Sequence, residues 1–420
     1  MANNLSSNIT RPLAKIFLEA FESSRVVTKT VNTQLLSGRF NPSTGTKVDF
    51  KRPHDYNSIR TSGGDISGAT KSDIIAGKAT GTVQPCFTSA TEWSNIQEAL
   101  ELDQLEQILE PMARRLVTDL EVDLGKFMRI NTGLNYGARG TAVDAWSDVA
   151  GAGAMMDSVG VPMSDNKYYL MNPFTTTALA SAQSGLNAAD GLVRTAFEKA
   201  QIASNFGGMK ALTSNALSSY TSGTTTDRSG DLKAAPDATY VTAKDTMQQT
   251  MVIETLGSGT IEAGDQIQVA GVNRLNIATR QVVLDAAGAA VPWTGTVLSV
   301  VTIAGNEATV VVSGAAIYEA NGQYNNVDAA PASGAIITIL GAAATVYQPN
   351  LFYTEQAFGL GTVKLPKLYS TDTIATTEDG MSIRVSKYSD GDANTQKIRF
   401  DLLPAYAVFN PNFAGQGYGV

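Results

Sequence analysis

Between about Gly223 and Val346 the chain changes character, and that change limits the fold more than any other feature. Helical periodicity is absent there, and short β-like runs such as "AGDQIQVAGV", "TGTVLSVVTIAGNEATVVVSG" and "GAIITIL" alternate with turn signals. Evenly spaced short strands over about 120 residues read as a β-sandwich or barrel. Gly305-Asn306, set between apolar runs, predicts a hairpin turn. The runs Val297–Ile303 and Ala308–Val312 supply a private core. Mixed helix and strand patterns lie on both sides, so the segment reads as an inserted domain. Its edges, "SSYTSGTTTDRSGD" and Gln348-Pro349, have the composition of exposed linkers. With eleven acidic and five basic residues it carries −6 of the chain's −8. That charge disfavours a polyphosphate chain such as nucleic acid as its partner.

The strongest helical pattern runs from about Thr91 to Arg129. Ile96, Leu100, Leu105, Leu109, Met112, Leu116, Leu120, Leu124 and Phe127 recur at three- and four-residue steps, which predicts a long strut with a kink or break at Pro111. Near the N-terminus Leu13, Ile16, Phe17, Ala20 and Phe21 predict a shorter helix, started by Thr10 and Pro12. "YYLMNPFTTTALASAQ" reads as a strand, then Asn172 as N-cap, Pro173 at the first helical position, and a helix. "AADGLVRTAFEKAQIASNFGG" predicts another helix, stopped by Gly207-Gly208. Near the end, Ile383 and Val385 alternate with polar neighbours, as do Ile398, Phe400 and Leu402, which predicts a hairpin. At its turn Asp390, Asp392, Asn394 and Asp401 have the spacing of a calcium loop. Thr395 stands where such loops need Gly, so an ordinary turn is expected.

From Thr44 to Pro85 the sequence predicts a long hairpin with almost no apolar face. "TKVDFKRP" alternates as a strand, "DYNSIRTSGGDISGATKSD" forms a polar tip, and "GKATGTVQP" returns. An isolated two-stranded ribbon is marginal in water, so another surface is expected to support it. Gly63 and Gly68 have phosphate-loop spacing, but Ala69 stands where the lysine belongs and Lys71-Ser72 comes two residues late. A nucleotide site is therefore not expected.

Composition narrows the function classes. The chain has 420 residues with one His (His54) and one Cys (Cys86). No intramolecular disulfide can form, a Cys/His zinc site lacks ligands, and triad chemistry would have to run through His54 alone. His54 reads instead as a strand-end residue beside Pro53 and Tyr56. Charged residues make up only 17% of the chain, well below the usual share of about 25%, as expected where other subunits cover much of the surface. The N-terminal apolar residues are interrupted by Lys15, Glu19 and Glu22, so no signal peptide is read there. The longest nearly apolar stretch, Gly334 to Tyr347, is too short to span a bilayer. These features predict a soluble protein that stays in the cytoplasm where it is made.

The strings "FKRPHDYNSIRTSGGDISG", "LDQLEQILEPMARRLVTDLE", "LVRTAFEKAQIASNFGGMKALTSN" and "YSDGDANTQKIRFDLLPAYAVFNP" resemble the major capsid (coat) proteins of short-tailed double-stranded-DNA bacteriophages. In particular the chain resembles the group carrying an immunoglobulin-like (telokin-like) insertion, and the resemblance covers nearly its whole length. It implies an α+β tailed-phage capsid fold with an inserted all-β domain. The implied parts are an N-terminal arm and lead-in strand (1–43), an extended loop on the adjacent subunit (44–85) and a peripheral-domain spine helix (86–130). An axial domain (131–222 and 347–372), the insert (223–346) and closing peripheral strands (373–420) complete it.

The resemblance also implies a structural role without catalytic, cofactor or metal site. The implied partners are copies of the chain in pentamers and hexamers, a scaffolding protein and a portal during assembly, and enclosed DNA bound without sequence specificity. No membrane is implied. The expected location is the virion, after assembly in the host bacterial cytoplasm and followed by expansion of the shell. Some relatives lock their shells with Lys–Asn isopeptide bonds, whereas this group is expected to use the insert and non-covalent contacts. Arg52, Arg60 and Lys71 of the extended loop are the candidate intersubunit contacts, to carboxylates of a neighbour. The competing reading is a phage or bacterial surface or tail protein whose β insert binds a receptor or glycan.

Overall fold

The computed structural model describes residues 18–22, 24–36, 38–40, 45–94, 105–184, 199, 202–369 and 372–420. Among these the architecture is α+β, with many short strands and few helices. The chain divides into two compact units, one of Met1–Asp49, Thr80–Gly125 and Phe358–Ala407, the other of Phe50–Ala79, Lys126–Ala357 and Val408–Val420.

The first unit is built on two four-stranded sheets. In one, the order is Lys47–Lys51, Lys78–Val83, Pro404–Val408, Phe358–Thr362; in the other it is Thr373–Thr376, Ser382–Asp390, Thr395–Leu402, Phe87–Ser94. The terminal hairpin has the expected alternation. Ile383, Val385, Ile398, Phe400 and Leu402 are fully buried, and the strands pair in register from Arg384↔Asp401 to Asp390↔Thr395. At its turn the Asp390 carboxylate accepts from the backbone N–H groups of Asp392 and Ala393.

Helix α1 (Leu105–Ile130) is 26 residues long, about 39 Å at 1.5 Å per residue. It buries Ala113, Leu116, Val117, Leu120, Leu124 and Met128 along one stripe. Two expectations are corrected here. The helix does not extend back to Thr91, because Phe87–Ser94 is a strand with alternating burial, paired over its whole length with Thr395–Leu402. A tertiary partner some 300 positions away overrides the local helical pattern. Pro111 does not split the helix either, since it lies inside one continuous α-helical run. The early apolar positions of the pattern, Ile96 and Leu100, lie outside the described residues. So do Leu13, Ile16 and Phe17 of the N-terminal helix; its described part, Leu18–Glu22, is helical, with Phe21 fully buried.

In the second unit a six-stranded mixed sheet runs Leu134–Tyr136, Ala414–Gly417, Asn350–Thr354, Lys167–Met171, Met209–Thr213, Asn205–Phe206. Helices α2 (Trp146–Val159) and α3 (Pro173–Ser184) accompany it. One core joins Val149, Ala152, Met156 and Leu179 from the helices to Leu134, Tyr169, Met171 and Phe352 from the strands. The start of α3 follows its sequence: Pro173 opens the helix, and the Asn172 side chain accepts from Thr175 N at 2.7 Å. Gly207-Gly208 is a correction. Both residues have positive φ (59° and 79°) and form the turn between Asn205–Phe206 and Met209–Thr213, a strand pair rather than a helix stop. Of the helix predicted before it, Lys199 is helical, but Ile202, Ala203 and Ser204 are not and Asn205–Phe206 is a strand, so the helix does not run on to the glycines.

The same unit contains a closed, antiparallel six-stranded barrel. Its order is Gln248–Glu254, Ala308–Ser313, Pro292–Val297, Gln266–Asn273, Ile336–Ile339, Ser229–Leu232, returning to Gln248–Glu254. Its interior is apolar, with Trp293, Met251, Ile253, Ile267, Val297, Val310, Val312 and Ile337 at 0–1% exposure. Gly295 leaves room for the indole, since a Cβ there would lie 2.7 Å from the Trp293 ring. Gly305 and Asn306 form the expected tight turn, both with positive φ (61° and 66°). The chain enters and leaves the barrel side by side, because Thr221 pairs with Val346 and Tyr220 with Tyr347.

Candidate functional site

The residues predicted to make intersubunit contacts lie on or beside the extended loop, so its geometry defines the candidate site. Strands Lys47–Lys51 and Lys78–Val83 are neighbours, as expected of a hairpin. Residues 52–77 between them follow an irregular path with two turns at the tip.

Arg52 starts that path. Its Nε donates to the Lys78 carbonyl at 3.0 Å and its Nη1 to the Phe409 carbonyl. The neighbouring Phe50 ring meets Phe409 edge-on at 5.7 Å. Burial holds the Arg52 guanidinium below its ordinary value, against the pull of Tyr240 and Asp245. Arg60 and Lys71, in contrast, are exposed and have no ion-pair partner among the described residues. The three cations grouped together by sequence therefore stand in two different environments. His54 is exposed too, with its ring 6.5 Å from that of Tyr56.

The limbs of the loop are tied to each other and to the second unit's other segments. Asn57 N donates to Ser72 Oγ at 2.9 Å, joining outgoing and returning limbs. Asp55 forms an ion pair with Arg280, whose guanidinium also donates to the carbonyls of Gln323 and Asn325. Asn57 Nδ2 donates to the Asn321 carbonyl at 2.7 Å, and Gln323 Nε2 to the Asp73 carbonyl at 2.6 Å. Ile75 packs on a cluster of Tyr240, Ala243, Met247, Ala315 and Ile317, where Tyr240 and Tyr324 stack at 3.7 Å. Beside these contacts an open cavity of about 690 Å³ is lined by Ile59, Lys71, Asp73, Arg280, Tyr318 and Gln323, among others.

A second polar constellation was not visible in the sequence. Arg139 is caged by the rings of Tyr220, Tyr347 and Tyr418, at 5.8, 5.7 and 5.5 Å. It donates to the Gly264 carbonyl and to Gln416 Oε1 at 3.1 and 2.9 Å. Arg129 and Arg228 reach the same barrel edge, and the fully buried Asp265 lies 3.8 and 3.6 Å from Arg139 and Arg228. Nearby, Arg274 is buried without a carboxylate. Its guanidinium donates to the Gly133 and Thr294 carbonyls and to Asn412 Oδ1, and burial alone pushes it down to about 9. Most partners of these cations are distant in sequence, so no local motif announces them; the buried Nε atoms of Arg139 and Arg274 have no hydrogen-bond partner among the described residues.

Comparison with known proteins identifies the family. The model of the family "P22 coat protein - gene protein 5" matches residues 1–419. The major capsid protein of Acyrthosiphon pisum secondary endosymbiont phage 1 is 46% identical over 424 residues, covering 100% of both chains. Two solved structures are more distant. One is from Mycobacterium phage Che8, at 12% identity, 94% of this chain, 89% of that chain and a TM-score of 0.46. The other is the capsid of the cyanophage P-SCSP1u, at 13% identity, 93% of this chain, 86% of that chain and a TM-score of 0.45. Matched along essentially its whole length by the family model and by a phage major capsid protein, the chain belongs to the P22 coat protein family.

Proposed function

We propose that copies of this chain assemble into the pentamers and hexamers of an icosahedral phage head that encloses double-stranded DNA. The chain is a structural subunit of the phage head shell. Assembly in the host cytoplasm with a scaffolding protein and a portal, followed by expansion on packaging, completes the reading. The observation that carries it is the extended loop, which presents Arg60 and Lys71 to solvent with no carboxylate partner among the described residues. A repeated shell contact needs such groups, since exposed pairs worth about 0–1 kcal/mol each act through their number. The −6 charge of the insert supports a position on the outer face, away from packaged phosphate.

The competing reading, a surface or tail protein with a ligand-binding insert, is not favoured, because the family match covers the flanking segments as well as the barrel. Electron microscopy of the expressed protein tests the proposal. Closed shells of uniform size are expected; fibres, or a stable monomer under all assembly conditions, would refute it.

A further inference from the structure

A loop of 26 residues without regular secondary structure is not held by its own contacts. Here its two limbs are fixed at their roots by the barrel segment of the same chain. On the outgoing limb, Asp55 pairs with Arg280, Asp55 N donates to the Tyr324 hydroxyl, and Asn57 Nδ2 donates to the Asn321 carbonyl. On the returning limb, Gln323 donates to the Asp73 carbonyl, Ile75 enters the Tyr240 cluster, and Lys78 N donates to Asp245 Oδ1 at 3.3 Å. Gly77 makes the closest approach: a Cβ there would lie 2.7 Å from the Lys244 carbonyl oxygen and 2.8 Å from the Tyr240 hydroxyl. Any larger residue must lift the limb off that surface.

Arg280 is the hub of this cradle. Its backbone is left-handed, with φ of 58°, in a turn held by Asn276 Oδ1 accepting from Ala278 N and Thr279 N. Glycine is the residue that adopts this conformation without strain. The arginine there places a guanidinium between the Gln323 and Asn325 carbonyls, leaving donors aimed at Asp55. Partnered in this way, the fork has a defined direction before the loop arrives. The tip between Asn57 and Ser72, which carries Arg60 and Lys71, lies beyond these fixed points, and its Ser58, Ile59, Ala69, Thr70 and Lys71 line the open cavity.

We infer that the barrel segment, through Arg280 and the 318–325 loop, is an intramolecular brace that sets the path of the extended loop in the free subunit. The barrel would then act on assembly through its own subunit's loop, and a neighbour would have to order only the tip. The brace is a property of the unassembled chain; its consequence for assembly rests on the shell reading proposed above. The two are therefore tested separately.

Hydrogen exchange followed by mass spectrometry on the soluble full-length subunit tests the brace. In the wild type, amides of residues 54–57 and 73–78 are expected to exchange at least tenfold more slowly than those of the tip. Arg280→Ala is expected to raise exchange at both roots about tenfold and leave the barrel strand Met251–Ile253 unchanged. If the barrel amides of Arg280→Ala also exchange faster, Asp55→Ala decides, because that residue lies on the loop. The charge swap Asp55→Arg with Arg280→Asp is expected to recover protection. Root amides as labile as the tip in the wild type, or unchanged in the deciding variant, would overturn the brace. Neither outcome bears on whether shells form, which microscopy reads independently.

Discussion

Arg384 and Asp401 stand directly opposite one another on adjacent antiparallel strands, and their side chains close a two-point ion pair. Nη2 and Nε of the arginine lie 2.6 and 3.1 Å from the same carboxylate oxygen. The other oxygen accepts from Thr88 Oγ1 and Arg399 Nε, both at 2.6 Å. Asp401 is fully buried, so this single carboxylate ties three residues of three paired strands at the centre of the first unit's sheet.

Removing that carboxylate strands a buried arginine. Asp401→Ala is expected to destabilise the first unit by about 3–5 kcal/mol, the usual cost of breaking a buried pair on one side. The pH dependence has a definite sign. Burial disfavours the Asp401 carboxylate, but Thr88, Arg384 and Arg399 outweigh it and hold the group below its ordinary value of 3.8. A depressed carboxyl contributes stability that is present above 3.8 and lost as pH falls through the lower folded value. Denaturant unfolding from pH 7 to 3 should show this loss in the wild type and a smaller one in Asp401→Asn.

Glu121 of α1 makes the second prediction. It is 4% exposed, and one of its oxygens accepts from Val26 N, Val27 N and Thr28 N at 2.5, 2.8 and 3.4 Å. Burial raises this carboxyl above its ordinary range, partly offset by those N–H groups and by Arg25. Glu121→Ala leaves the buried Val27 and Thr28 donors and the partly buried Val26 donor without this acceptor, at about 1–3 kcal/mol for each fully buried group. Glu121→Gln keeps an acceptor oxygen and should cost less. Hydrogen exchange at Val26–Thr28 is the check: strong acceleration is expected in the alanine variant and a weaker one in glutamine.

Elements whose chemistry is local were legible from the residues alone. Asn172-Pro173 states a helix start, and Gly305-Asn306 a tight turn, because the groups that satisfy the backbone lie within a few positions. The barrel's alternation was legible for the same reason. Phe87–Ser94 was not, since its strand character comes from pairing with Thr395–Leu402. Gly207-Gly208 has the composition of either a helix stop or a hairpin turn, and only the pairing of Asn205–Phe206 with Met209–Thr213 decides. At the candidate site the sequence marked Arg52, Arg60 and Lys71 as alike. Their difference lies in the Phe409 carbonyl, more than 300 positions from Arg52.

That difference makes the third prediction. Reversing Arg60 and Lys71 to glutamate together is expected to leave the subunit folded and soluble, because neither has a partner to lose among the described residues. Shell yield should fall sharply if these cations meet a neighbour's carboxylates. Arg52→Glu should instead harm the subunit itself, since it places a carboxylate against the Lys78 and Phe409 carbonyls. Sedimentation separates the cases: soluble subunits without shells for the double reversal, and less soluble subunit for Arg52→Glu. Wild-type shell yield from the double reversal would remove Arg60 and Lys71 from the interface.

The last prediction concerns a fragment from Ser222 to Tyr347. Its apolar cluster is built entirely from residues between Leu232 and Ile339, so cutting the chain removes none of it. The ends are adjacent, as the pairing of Tyr220 with Tyr347 and Thr221 with Val346 requires, and closing them costs the fragment little conformational entropy. The seam it leaves behind is mixed: Ile277 and Val291 leave the core around Met156, and the Tyr240 cluster loses Ile75. Arg274 loses the Gly133 carbonyl and Asn412, and Asp265 loses Arg139, but each gains water in place of a buried site. A charge released to solvent costs far less than one stranded inside, so the polar part of the cut costs little. The fragment is therefore expected to be a monomer with a β-type circular dichroism spectrum and one cooperative thermal transition. Trp293 is the only tryptophan it contains and is fully buried in the barrel, so its fluorescence should shift to the red in the same transition. A helical spectrum, or a gradual change with temperature, would show that the barrel depends on the surrounding chain for its fold.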